Sequence, residues 1–195
     1  MAISKITTDF LSTVKARSKD AMDWFRNIVK QTQRAVIPGS QGRKELMGDR
    51  NVGTVLKPEI GKMYLFQYDA KYKDILPFWD RFPLVFPFDV AKDTNGKING
   101  FYGINLHYLP PNQRINLMTA LIEAQGTIGG NLDDDYELQG LSYTIIKGFK
   151  PAQKCIKRYI NTTAHRKSPF YGIGGADWAY AAGLPLQKFV GPQPW

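Results

Sequence analysis

The stretch from residue 84 to residue 108, LVFPFDVAKDTNGKINGFYGINLHY, decides how this chain folds. Its centre, Asp93-Thr94-Asn95-Gly96-Lys97, is a hairpin signal, because Asn-Gly readily supplies the positive φ angles of a tight turn. On one side Leu84-Val85-Phe86 and Phe88 read as a strand, and Pro87 pushes it to a sheet edge or ends its pairing. On the other side Phe101, Gly103, Asn105 and His107 alternate with Tyr102, Ile104, Leu106 and Tyr108, so a strand runs through Tyr108. Upstream, Met63 to Tyr68 is apolar on both faces, as a buried strand is. Pro77-Phe78-Trp79-Asp80-Arg81-Phe82-Pro83 connects the two strands through a turn-rich aromatic segment. This succession predicts an α+β fold on a small, curved antiparallel β-sheet or barrel.

Helical signals flank that core. Residues 1–36 form a basic amphipathic segment: Asp9 is a candidate N-cap, and Leu11, Val14, Ala21, Trp24, Phe25, Ile28 and Val29 recur at three- and four-residue steps. Burying Trp24, Phe25 and Ile28 is worth roughly 1.5 to 3 kcal/mol each, so these three are expected to dock on a partner or on the core. Residues 37–58, with Pro38, Gly39, Gly42, Gly48 and Gly53, read as a Gly/Pro linker. The β-rich core with inserted helices spans 59–162, including a helix that starts at Pro110-Pro111 and carries Ile115, Met118, Leu121 and Ile122 on one stripe. Residues 163–195 read as an extended C-terminal arm with a short helix from Ala176 to Ala182.

Length and composition exclude several classes. The 195 residues are 43% hydrophobic and 22% charged, which is ordinary for a globular protein and argues against wholesale disorder. No apolar run approaches the roughly 18 to 20 residues of a membrane span, and MAISKITTDF has no apolar core of a secretory signal. One cysteine excludes an internal disulfide, and with two histidines it leaves too few soft ligands for a structural zinc site. Charge is the positive clue. The net +9 divides into +5 over residues 1–50, −3 over 51–137 and +7 over 138–195, with no acidic residue from Leu138 to Ala176. Basic ends around a near-neutral middle suit an anionic partner, either nucleic acid or an acidic protein face.

The chemical motifs each have a plainer reading. Asp133-Asp134-Asp135 lacks the alternate ligand spacing and turn glycine of a calcium loop and reads as a solvated turn. Asp69, Asp74, Asp80 and Asp89 include candidates for paired acids, but their spacing shows no convergence. Cys155 among Ile and Tyr reads as a small core residue rather than a thiol catalyst with His107 or His165. Gly172-Ile173-Gly174-Gly175 lacks both nucleotide-binding fingerprints and reads as a turn. No catalytic residue, metal, cofactor or small-molecule substrate is assigned. The anion-binding or nucleic-acid-binding candidates are Lys147, Lys150, Lys154, Lys157, Arg158, Arg166 and Lys167, interleaved with Tyr159, Phe170 and Tyr171.

Three segments carry a resemblance. Gly61-Lys62-Met63-Tyr64-Leu65-Phe66-Gln67-Tyr68-Asp69 comes first, then Leu76-Pro77-Phe78-Trp79-Asp80-Arg81-Phe82-Pro83-Leu84, then Gly100 to Pro111 with its Gly103-Ile104-Asn105-Leu106-His107-Tyr108-Leu109-Pro110. Together with Lys154-Cys155-Ile156-Lys157-Arg158-Tyr159, this pattern over about residues 60–160 resembles a module of virion proteins from large contractile-tailed bacteriophages. The resemblance implies a non-enzymatic structural protein, assembled in the host cytoplasm into a virion, with other virion proteins as partners. Two roles stay open. The first expectation is a subunit of the tail, in particular the baseplate, that joins neighbours through its terminal arms. The alternative is a DNA-binding virion protein that protects or holds genome ends.

Overall fold

A computed structural model describes residues 39–48, 53–118, 148, 150–174 and 177–195. The amphipathic segment 1–36 with Trp24, Phe25 and Ile28, the acidic run 133–135, Leu121, Ile122 and Lys147 lie outside the described residues.

The hairpin forms where Asn95-Gly96 places it. Strands β4 (Leu84–Lys92) and β5 (Ile98–Asn105) are the longest antiparallel pair. Asp93 closes the turn between them, its carboxylate accepting from the N–H groups of Asn95 at 2.9 Å and Lys97 at 3.0 Å. Gly96 takes φ +77°, a conformation that side chains disfavour. Of two expectations for this stretch, one holds in part and one is corrected. Pro87 does not end the pairing with β5, but on its other side the strand ladder stops at Val85. Strand β4 runs on to Lys92 between β2 (Met63–Leu65) and β5. Strand β2 pairs with it only at Leu84 and Val85, and the Pro87 carbonyl accepts from Gly61 N–H at 3.0 Å. The proline nitrogen points to that same side, past the end of β2, so the ladder loses no bond, and a bulge follows between Pro87 and Asp89. Strand β5 stops at Asn105 rather than Tyr108. The Asn105 side chain accepts from His107 N–H at 3.0 Å and turns the chain into a 3-10 helix, Leu106–Tyr108.

Six strands make one antiparallel sheet in the order β1 (Thr54–Val55), β7 (Phe170–Ile173), β2, β4, β5, β6 (Ile156–Ile160). Strand β3 (Trp79–Asp80) pairs with β8 (Phe189–Val190) in a second, two-stranded sheet. Side-chain alternation gives the large sheet two apolar faces. Met63, Leu65, Leu84, Phe86 and Ile104 point to one, which the helical elements cover. Tyr64, Phe66, Val85, Phe101, Tyr159 and Phe170 point to the other. There Phe66 makes edge-on contacts with Tyr68, Phe101, Tyr159 and Phe170. The sheet curls over these rings. The loop after β6 reaches back to the chain after β2, with Lys167 N–H donating to the Gln67 carbonyl and Asp69 N–H to that of His165. Edges β1 and β6 do not pair, so the architecture is α+β with a curled open sheet rather than a closed barrel.

The expected linker and arm are partly structured. Residues 39–48 of the 37–58 segment form helix α1 (Gly39–Gly48). Its glycines serve close approach: a Cβ on Gly39 would collide with the Pro185 carbonyl, and one on Gly42 would lie 3.0 Å from a Leu184 methyl. Helix α2 covers residues 111–118 with Ile115, Leu117 and Met118 buried, as the Pro110-Pro111 signal predicts. Within the expected C-terminal arm, β7 is an interior strand of the main sheet and α3 (Trp178–Gly183) packs Trp178 on Phe86. The core therefore extends past residue 162, and the extended portion is confined to the last dozen residues. No described helix is long and apolar enough to cross a membrane.

Gly103 is the tightest point of the β4–β5 pair, because a Cβ there would press into the Val85 side chain and come within 3.0 Å of the Phe86 carbonyl oxygen. Gly103→Ala is expected to lower stability by about 1 to 3 kcal/mol, read from the midpoint of urea unfolding.

Candidate functional sites: a buried polar centre and a basic edge

Two of the segments that carry the resemblance meet inside the protein. Asp80 ends β3, and its Oδ1 accepts from Phe82 N–H at 3.0 Å and Lys188 N–H at 3.1 Å. Its Oδ2 faces His107 Nδ1 at 2.5 Å and Asn105 Nδ2 at 3.4 Å. All three side chains are buried. Burial alone would raise the Asp80 carboxyl, but His107 and the two backbone donors outweigh it and hold the group below its ordinary value. Burial dominates for His107 and pushes its imidazole down despite the facing carboxylate. The ring is therefore neutral at neutral pH, with the proton on Nδ1 shared with Asp80, and Nε2 has no partner among the described residues.

A buried cation, Arg114, completes the centre. Arg114 is 2% exposed and makes no ion pair among the described residues. Its Nε donates to the Leu109 carbonyl at 2.8 Å, and its Nη2 to that of His107 at 3.3 Å. Burial pushes its pKa down to about 10. Its guanidinium also lies 5.5 Å from the ring centroid of Trp195, whose Nε1 donates to the His107 carbonyl at 2.8 Å. The centre thus clamps the C-terminal residues at both Lys188 and Trp195. A single enclosed carboxylate beside a neutral imidazole does not form paired acids. Of the other three aspartates, Asp69 is bonded to Lys73, Asp89 bonds Val90 N–H, and Asp74 lies on an exposed loop. Asp80, Asn105 and His107 all stand in those two segments, but nothing in their spacing marks the convergence.

The basic candidates separate by what they touch. Lys150 and Lys154 are exposed on a 3-10 turn (Lys150–Cys155) that leads into edge strand β6. Lys157 is half-buried with its Nζ 4.4 Å from the Tyr108 ring centroid, and burial lowers its pKa. Arg158 is exposed, and its Nη2 donates to the Lys92 carbonyl at 2.8 Å and to Asn99 Oδ1 at 3.1 Å. Arg166 is taken up by its own loop: Nε donates to Asn161 Oδ1 at 2.7 Å and Nη1 to the Ser168 carbonyl at 2.6 Å, over the Phe170 ring. Lys167 is exposed. Lys150, Lys154 and Lys167 are exposed and make no ion pair with any described residue. Cys155 is buried, and burial pushes its thiol up to about 11, the state of an inert core residue.

No curated protein and no solved structure matches the chain. A family model described as phage T4 terminal DNA protecting protein matches residues 4–193.

Proposed function

Because the chain belongs to the phage T4 terminal DNA protecting protein family, we propose that it is a virion protein that binds and shields the ends of the packaged genome. The family match carries this reading. It supports the second expectation from the sequence, protection of genome ends, over the first, a baseplate subunit, which gains no support from the comparisons. The action is binding rather than catalysis. Exposed Lys150 and Lys154, on the turn into β6, and Lys167, on the loop after it, meet the phosphates of the terminal base pairs and displace their counterions, while the curled sheet holds these segments in place. Other virion proteins are the second class of partner, held by segments outside the DNA-facing edge.

End specificity is the test. The full-length protein should bind a linear duplex with a salt-sensitive Kd near physiological ionic strength and protect it from an exonuclease. The same duplex with both ends closed by hairpin loops should bind at least tenfold more weakly, consistent with the weaker non-specific term. Equal affinity for open and closed ends would leave a general DNA-binding protein. No binding to either would remove DNA from the reading.

A further inference from the structure

Beside the basic edge, the loop after β2, the β4–β5 turn and the end of β6 enclose a cleft of about 400 Å3. Apolar and cationic side chains share its lining. Tyr72 is 58% exposed and Leu76 43% exposed, large apolar groups on the surface. The Lys71 Nζ lies 5.2 Å from the Tyr72 ring centroid. On β6, the Arg158 guanidinium is fixed through Nη2 alone, so its remaining N–H groups bond no described residue. Asn99 lends Oδ1 to that arginine, and its amide N–H groups bond no described residue. The one carboxylate in the lining, Asp93, is directed at the turn's own N–H groups of Asn95 and Lys97.

An exposed ring, an aliphatic neighbour, an oriented guanidinium and a lysine are the parts of a site for a stacked base and its phosphate. The volume lies within the range of small-ligand pockets. We propose that this cleft receives one unpaired nucleotide at a DNA end, with the base against Tyr72 and Leu76 and the phosphate on Arg158 and Lys71. The proposal rests on the reading of the chain as a DNA-end-binding protein and adds how an end is told from an interior. A continuous duplex keeps its bases stacked and paired, whereas a frayed or overhanging end can place one in the cleft.

The experiment uses the full-length protein and two duplexes, each closed by a hairpin loop at one end. One has a blunt open end and the other a three-nucleotide single-stranded overhang. Fluorescence anisotropy should show about tenfold tighter binding to the overhang. Tyr72→Ala should abolish that preference and leave blunt-end affinity within twofold, whereas Tyr72→Phe, which keeps the ring, should retain it. Tyr72 is exposed, and a thermal melt of each variant checks that the fold is intact. Equal binding of both duplexes by the unmodified protein, or equal weakening of both by Tyr72→Ala, would overturn the cleft while leaving DNA binding in place. A change of oligomeric state in Tyr72→Ala would assign the cleft to a second copy of the chain and also overturn it. Loss of binding to every DNA would remove the DNA reading and the cleft together.

Discussion

Asp80→Ala is expected to lower the unfolding free energy by about 3 to 5 kcal/mol, because several donors lose a shared acceptor at a cost of roughly 1 to 3 kcal/mol for each one left unsatisfied. The size follows from what the carboxylate holds. Without it the N–H groups of Phe82 and Lys188, the His107 Nδ1–H and the Asn105 amide all lose their acceptor inside the protein. The C-terminal residues should loosen first, because Lys188 is bonded there and Trp195 is seated on the His107 carbonyl. Hydrogen exchange at residues 187–195 would then accelerate more than in the β4–β5 hairpin. The same centre makes the protein acid-sensitive. His107 titrates below its ordinary 6.5 when folded and Asp80 below its ordinary 3.8. In both cases the unfolded chain binds the proton first, so stability rises with pH across each window. It should therefore fall as pH drops below about 6.5 and fall further as pH passes below about 3.8 towards the depressed value of Asp80. Urea unfolding midpoints of the unmodified protein and Asp80→Ala, measured from pH 7.5 to pH 3, should converge towards acid. Parallel curves would mean that the pair does not govern the pH dependence.

How much of this was legible in the sequence depended on whether the cause was local. Asn95-Gly96 dictates its turn from within five residues, and the two strands followed. The apolar run from Met63 marks the buried strand β2 for the same reason. Strand β5, by contrast, ends at Asn105 because one side chain bonds a backbone N–H two residues on, a choice that periodicity alone does not distinguish from continued alternation. Helix α1 was hidden because glycine is a poor helix former, and Gly39 and Gly42 are there for the approach of residues 184–186 from the far end of the chain. The polar centre depends on the pairing of β3 with β8, two residues against two, which is too short to leave a pattern. The cationic stretch was legible as charge. Which cations are already engaged was not, since Arg166 is consumed by Asn161 and Ser168 within its own loop.

That division among the cations sets the second large effect. Lys150→Gln, Lys154→Gln and Lys167→Gln combined should weaken binding to an open-ended duplex by between two and three orders of magnitude at about 0.1 M salt. Each lost phosphate contact removes about 0.9 from the slope of log K against log salt, and near 0.1 M that is close to a decade of affinity per contact. The slope itself should fall by about 3. Lys157→Gln alone should have a smaller effect on DNA, because its ammonium lies over the Tyr108 ring and is half-buried. Arg166→Gln should act on the fold instead, by freeing the loop that joins β6 to β7. The three lysines lie on the surface without a described ion pair, so their loss should leave the melting temperature within a few degrees. If the triple variant kept both the affinity and the salt slope of the unmodified protein, the basic edge would not face DNA. The phosphate contacts would then come from other cations, those of residues 1–36 or Arg158 and Lys71 of the cleft.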